Sequence, residues 1–292
     1  MTTKTTNPFA DLADFGAIQT ESKAQTQDNE TEELKQKSIE WFLARWGKFT
    51  GSKIPNLMKS GRGKGELWGE TSKNVILEIA SYQRMTDEGR VQYAVEQMYK
   101  DFRQTRWGNT YEPEAREAYA KHTGYVVKET GFTVHPTISY MGGSFDGEAI
   151  GYNNESTAWE NNRGLTDLTV GLKGIIEIKC PYDPVKHQQN YDLKLAGGIT
   201  ADHEFYGQIQ NNIEVAGVDW CDFISYDPRC QDEYKLVVIR VLRDQLFIDA
   251  ILTRVHKAKF ALDMYIEGIP LTAALVGAEQ IDINEWIKAN GK

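Results

Sequence analysis

The stretch Gly174-Ile175-Ile176-Glu177-Ile178-Lys179-Cys180-Pro181 reads as a buried strand, yet two opposite charges interrupt it. Residues two apart on a strand share a face, so Glu177 and Lys179 project together while Ile176, Ile178 and Cys180 face the packing. Taking a carboxylate and an ammonium out of water is costly unless each is paired, hydrogen-bonded or bound to a metal. A chain keeps such a pair where chemistry uses it, although an isolated Glu-x-Lys also fits an ion pair on a partly exposed strand edge. Asp146, in Ser144-Phe145-Asp146-Gly147, offers a second carboxylate on the preceding strand, where a hairpin would set it beside Glu177. Asp-Gly alone is a turn signal, but Phe145 before it and Glu148-Ala149-Ile150 after it alternate like a strand that continues past the pair. Hard oxygen ligands of this kind suit Mg2+ or Mn2+. Two such ions about 3.5–4 Å apart can hold both the attacking and the leaving oxygen of an in-line displacement at phosphorus. The lysine can orient the attacking water or help to deprotonate it.

The elements that must position these residues follow from periodicity. From Leu34 the spacing of Ile39, Trp41, Phe42 and Trp46 predicts a helix that ends at Gly47. Ser52 is expected to cap a short helix with Pro55 in its first turn. The glycine-rich stretch 61–69 is expected to be a flexible loop and not a phosphate loop, since no strand leads into it and the Gly-Lys-Ser/Thr ending is missing. Helices are predicted over about 71–83, 86–106 and 111–123, the last with Pro113 near its start. Segments 125–140, 143–152 and 170–180, rich in Val, Ile, Thr and Tyr, are predicted strands, with the Asn-rich insert 153–164 as a long hairpin excursion. A helix at about 202–216 carries Phe205, Ile209 and Ile213 at i, i+4 and i+8. Strands at 219–227 and 233–242 precede an amphipathic helix at 243–267 and further C-terminal helices. This order predicts one mixed α/β domain over 34–292.

Composition bounds the rest. A chain of 292 residues with 40% hydrophobic and 26% charged residues can bury a sizeable core. It has no run of 18 apolar residues and no basic-then-apolar leader at its start, so a cytoplasmic protein that neither spans a membrane nor is secreted is expected. Cys180, Cys221 and Cys230 form no CxxC pair and cannot supply four thiolates to zinc or to an iron–sulfur cluster. His122, His135, His187, His203 and His256 show no metal spacing. Net charge is −9, with an acidic, low-complexity stretch over 1–33 that is predicted to be a disordered tail. Residues 45–73 instead place Arg45, Lys48, Lys53, Lys59, Arg62, Lys64 and Lys73 against only Glu66 and Glu70. Such a local basic stripe is the footprint that a polyanion requires.

Six motifs run in order through most of the chain, from about Trp41 to Val241. They are Trp41-x3-Arg45-x-Gly47-x2-Thr50-Gly51-Ser52, Trp107-Gly108-x2-Tyr111-Glu112-x2-Ala115-Arg116, Ser144-x-Asp146-Gly147, Glu177-Ile178-Lys179-Cys180-Pro181, Gln208-x-Gln210, and Tyr226-Asp227-Pro228-Arg229. In this the sequence resembles phage lambda exonuclease and its YqaJ-type viral recombinase relatives, within the PD-(D/E)XK nuclease superfamily. The resemblance implies a restriction-endonuclease-like core, α/β in class, with a central mixed β-sheet flanked by helices. It implies that Asp146 and Glu177 are metal ligands with the backbone carbonyl of Ile178, that Lys179 is the catalytic lysine, and that Glu112 is a helix-borne carboxylate joining the metal and water site. Gln208 matches a glutamine that hydrogen-bonds within the active centre. Arg45 and Ser52 look like the pocket for the 5′-terminal phosphate of the digested strand. That pocket also has a physical basis, since a helix N-terminus favours an anion and arginine can bind phosphate with two donors.

The activity implied is a Mg2+-dependent 5′→3′ exonuclease with two ions per site, Mn2+ being able to substitute. It would act on linear double-stranded DNA and leave 3′ single strands for phage-type recombination. The resemblance further implies a homotrimer ring around DNA and a single-strand annealing protein as partner. A ring reconciles an acidic total with DNA, because only the channel lining must be basic. A distributive or structure-specific DNA endonuclease of the same superfamily is one alternative, and a non-catalytic DNA-binding module is another. The segment 153–170 is longer than the short hairpin usual in the family.

Overall fold

A computed structural model describes residues 36–100, 102–150 and 174–290. The predicted acidic tail (1–33) and the insertion (153–170) lie outside the described residues. So do the far ends of two predicted strands, at 151–152 and 170–173.

The site rests on a five-stranded sheet. Its strands are β2 (Val126–Lys128), β5 (Gly147–Ile150), β6 (Gly174–Lys179), β7 (Trp220–Tyr226) and β8 (Leu236–Leu242), in the spatial order β2-β5-β6-β7-β8. Only the β6/β7 pair is parallel; β2/β5, β5/β6 and β7/β8 are antiparallel. A smaller sheet joins β1 (Phe49–Thr50), β4 (Met141–Gly143) and β3 (Thr133–Val134), in the order β1-β4-β3. The α/β class and the mixed central sheet agree with the sequence.

Helices cover both faces of the larger sheet. On one, α5 (Arg103–Thr123) buries Ala115 and Tyr119 against Ile176, Ile178, Trp220 and Ile224. On the other, α7 (Tyr206–Ala216) buries Ile209 and Ile213 with Ile175, Cys221 and Phe223. The alternation along β6 thus separates two cores, as a period of two requires. A third core gathers Phe49, Ile54, Leu57 and Trp68 with residues of α3 (Glu70–Gln83), α8 (Gln245–Ile266) and α9 (Leu271–Gln280). The remaining helices are α1 (Ile39–Arg45), α2 (Ile54–Leu57), α4 (Asp87–Met98), α6 (Pro184–Leu195) and α10 (Ile283–Asn290). Among the described residues no helix is long and apolar enough to cross a membrane.

Four local expectations are corrected. The break predicted between 106 and 111 falls instead near 99–102, so α5 runs unbroken through Pro113. Glu112 is therefore a mid-helix residue and not the start of one. Packing explains the continuity: the tilted rings of Trp107 and Tyr111 meet with centroids 4.4 Å apart, one turn before the buried Ala115 and Tyr119, which offsets the hydrogen bond that Pro113 cannot make. Ser52 does not cap a helix; it lies inside a short 3-10 turn, Gly51–Lys53, that leads into α2. The strand predicted over 125–140 is two short strands, β2 and β3, while that predicted over 143–152 begins at the end of β4 and breaks, with Asp146 at a bend just before β5. Finally, α6 was not anticipated, although Asp183-Pro184 is a start signal: the Asp183 carboxylate accepts from the Val185 N–H at 3.0 Å.

Candidate active site

The β5/β6 register sets Gly147 opposite Ile176, so one step further Asp146 faces Glu177. At this step the ladder changes partner. The Asp146 N–H donates to the Ile176 carbonyl at 2.9 Å, and the Asp146 Oδ2 accepts the Ile178 N–H at 2.6 Å. A side chain thus ends the strand pairing where a backbone carbonyl would otherwise continue it. On a strand the N–H and C=O of one residue point to the same neighbour, so the Ile178 carbonyl is turned to the Asp146 side. Phe145, 2% exposed, anchors the bend from one core. Gly147 follows because a Cβ there would fall 2.7 Å from Val127 Cγ1.

Glu177 is buried at 2% exposure and fully engaged. Its Oε1 accepts from Lys179 Nζ at 2.5 Å and from Gln208 Nε2 at 2.6 Å, and its Oε2 accepts from Asn212 Nδ2 at 3.1 Å. Burial, and next the Glu177 charge, hold the Asp146 carboxyl well above the usual carboxylate range. Burial works to lower the Lys179 pKa, but Glu177 and Asp146 outweigh it and raise it. Two neighbouring buried carboxylates, together with a carbonyl facing the same way, are a donor set suited to a hard divalent cation. Asp146, Glu177, Lys179 and Gln208 are therefore brought together.

Glu112 is only partly brought in. Its charge reaches Asp146 and Lys179, but its carboxylate is held by Arg116 at 2.8 Å and Lys37 at 3.4 Å. Arg116 also donates from Nε to the Asp146 carbonyl at 3.1 Å, so it bridges α5 to the bend. Among the described residues no group of three or more His, Cys, Asp or Glu side chains is gathered to hold a metal ion. The convergence of three acids expected from the sequence is thus a pair, with Glu112 beside it.

Arg45 and Ser52 do meet, with Arg45 Nη2 at 3.4 Å from Ser52 Oγ. The guanidinium lies 3.9 Å over the buried Trp41 ring, and burial lowers its pKa to about 10, with Glu177 opposing. This pocket therefore adjoins the catalytic candidates, although no helix N-terminus builds it. Of the basic stripe, Lys53 and Lys73 pair with Glu78 and Glu66, whereas Lys59, Arg62 and Lys64 are exposed.

Sequence reasoning missed Asn212, Lys37 and the linking role of Arg116. Helical spacing held the signal for two of them, since Asn212 is i+4 from Gln208 and Arg116 is i+4 from Glu112. Gln210, which the sequence grouped with Gln208, is structural instead: it bonds the Leu242 carbonyl and the Asp244 N–H. Arg229 likewise clamps Asp227, the Tyr182 carbonyl and the Trp107 ring.

Comparison with known proteins places this geometry. The crystal structure of an alkaline exonuclease (LHK-Exo) from Laribacter hongkongensis is 28% identical, covering 82% of this chain and 100% of its own, with a TM-score of 0.58. LHK-Exo in complex with dAMP gives 27% identity, the same coverage and a TM-score of 0.59. A phage related exonuclease from Haemophilus somnus 129PT shares the fold, at 17% identity over 76% of this chain and 96% of its own with a TM-score of 0.50. Among curated proteins none matches the sequence. Residues 40–219, more than half of the chain, match the YqaJ-like viral recombinase domain, and the chain belongs to that family.

Proposed function

We propose that this protein is a Mg2+-dependent 5′→3′ exonuclease that digests one strand of linear double-stranded DNA from its end and leaves a 3′ single strand for recombination. The observation that carries the reading is the β5/β6 register, which sets Asp146 against Glu177 with Lys179 on the same face. Membership of a recombinase family and likeness to exonucleases support it.

Asp146, Glu177 and the Ile178 carbonyl would hold the metal, and Glu112 would join them by exchanging its Arg116 and Lys37 partners. When bound, two Mg2+ ions, or Mn2+ in their place, supply Lewis-acid charge to both sides of the scissile phosphate. Lys179 would orient the attacking water by donating a hydrogen bond to it. Gln208 fixes the Glu177 carboxylate against rotation. Arg45 and Ser52 receive the 5′-phosphate, which sets the scissile bond at a fixed reach from Glu177. A homotrimer ring would keep DNA engaged between cuts, and a single-strand annealing protein would take the exposed strand, in the cytoplasm of a bacterial or phage-infected cell.

End-labelled duplex, with products sized over time, tests this. Cleavage with Mg2+ or Mn2+, silence with chelator and resistance of covalently closed circles are expected. Circles cut as fast as phosphorylated linear DNA would remove the exonuclease reading in favour of an endonuclease. In the same assay Arg45→Ala should slow initiation on 5′-phosphorylated ends by about tenfold, the scale of one charge-assisted contact, and leave hydroxyl ends little changed. Equal losses on both ends would contradict the role given to Arg45.

A further inference from the structure

The Asn212 carboxamide is fully buried and touches both halves of the site at once. Its Nδ2 donates to Glu177 Oε2 at 3.1 Å and approaches the Ser144 carbonyl at 3.4 Å. Its Oδ1 accepts from Asn211 Nδ2 at 3.4 Å, and Asn211 in turn donates to the Gly142 carbonyl at 3.1 Å. Bonding to a carboxylate fixes which end of the amide carries the nitrogen.

Two glycines make room for that oxygen. A Cβ at Gly51 would lie 2.6 Å from Asn212 Oδ1, and so would a Cβ at Gly143. Neither glycine needs a left-handed backbone, so space alone requires them. Gly51 opens the 3-10 turn that carries Ser52, and Gly143 ends β4 just before the Asp146 bend. One side chain is therefore wedged between the turn beside Arg45, the approach to Asp146, and Glu177 itself.

We propose that Asn212 is a positioning residue that couples the Ser52 turn to the Glu177 carboxylate, so that seating of a 5′-phosphate and alignment of the catalytic carboxylate depend on the same buried amide. This rests on the nuclease reading above and extends it to a residue that touches neither DNA nor metal. Interior packing transmits displacement because it leaves no slack. Removing the amide frees both the turn and Glu177, and pushing it from Gly143 displaces both.

The test measures two quantities in wild type, Asn212→Ala, Gly143→Ala and the double variant. One is the ratio of affinities for 5′-phosphorylated and 5′-hydroxyl duplex, read by fluorescence anisotropy in chelator without turnover. The other is the Mg2+ concentration that gives half-maximal cleavage. Loss of a hydrogen bond to a charged group predicts that Asn212→Ala lowers the phosphate preference and raises the Mg2+ requirement, each by about tenfold. Gly143→Ala should shift both in the same direction, and the double variant should be no worse than Asn212→Ala, because the added methyl then meets no amide. Should Asn212→Ala melt below the assay temperature, Asn212→Ser carries the same comparison. A change in only one quantity, no change in either, or additive losses in the double variant would overturn the coupling. Wild type that lacks phosphate preference or metal-dependent cleavage would overturn the nuclease reading and this proposal with it.

Discussion

Lys179→Ala is expected to lower the rate of DNA cleavage by about 10²–10⁴-fold, the range typical of losing a group that aligns the reacting water, while duplex binding in chelator stays within about threefold of wild type. The lysine owes its position to strand alternation. β6 sends Ile176 and Ile178 into the α5 core and leaves Glu177 and Lys179 on the opposite face, where Lys179 Nζ meets Glu177 Oε1 at 2.5 Å and lies 4.9 Å over the Phe205 ring. The Lys179 side chain is 29% exposed at the strand end, and Glu177 keeps its bonds from Gln208 and Asn212 when the amine is removed, so the variant should fold. Cleavage and binding then separate, since the proposed phosphate contacts are Arg45 and Ser52 rather than Lys179. Retained cleavage by purified Lys179→Ala would contradict the role, and a parallel loss of binding would move Lys179 into the DNA-contact set.

The second large effect concerns stability and lies beneath the same sheet. Asp222 and Arg240 are cross-strand partners on β7 and β8, and their side chains are 0% and 2% exposed. Arg240 Nε and Nη2 grip the two carboxylate oxygens at 2.9 and 3.0 Å, Tyr119 donates to Asp222 Oδ2 at 2.7 Å, and the guanidinium stacks 3.6 Å over Trp220. Burial, and then the Asp222 charge, push the Tyr119 hydroxyl pKa well up. Asp222→Ala removes both charge-assisted contacts to the buried guanidinium together with the acceptor of the Tyr119 hydroxyl, a defect worth about 3–5 kcal/mol. For a domain of this size that lowers the melting temperature by about 10 °C. Replacing both partners, Asp222→Leu with Arg240→Met, exchanges the buried ion pair for apolar packing and should melt above Asp222→Ala. Thermal unfolding followed by circular dichroism reads both. A shift of under about 2 °C in Asp222→Ala would show that the pair contributes little.

The pairing of Asp146 with Glu177 and Lys179 was legible in the sequence because its signal is local. Two charges at a spacing of two inside an apolar run can share only one face, and the Asp-Gly preceding them had one antiparallel register that hid Phe145 and kept Asp146 beside Glu177. The parts that were misread depend on distant contacts. Pro113 looks like a helix start until Trp107 is seen packed on Tyr111 and Tyr182 and under Arg229, which holds α5 together from outside. Ser52 looks like a cap, but it lies inside a 3-10 turn whose Gly51 packs against Asn212, a contact far away in sequence. Glu112 carries the expected charge, yet its carboxylate is held by Arg116, which also bonds Glu129 and a backbone carbonyl thirty residues on. A polar run such as Gln208 to Asn212 does not declare which of its amides faces a carboxylate until the strand opposite is in place.

Everything assigned to this site turns on whether Asp146 and Glu177 together hold a divalent cation. Calorimetric titration of Mn2+ into wild type, Asp146→Asn and Glu177→Gln, without DNA, measures that directly. Wild type is expected to bind, and each substitution should weaken binding by at least about tenfold, since even residues that only support a ligand cost that much. Equal Mn2+ affinity in all three proteins would contradict the account.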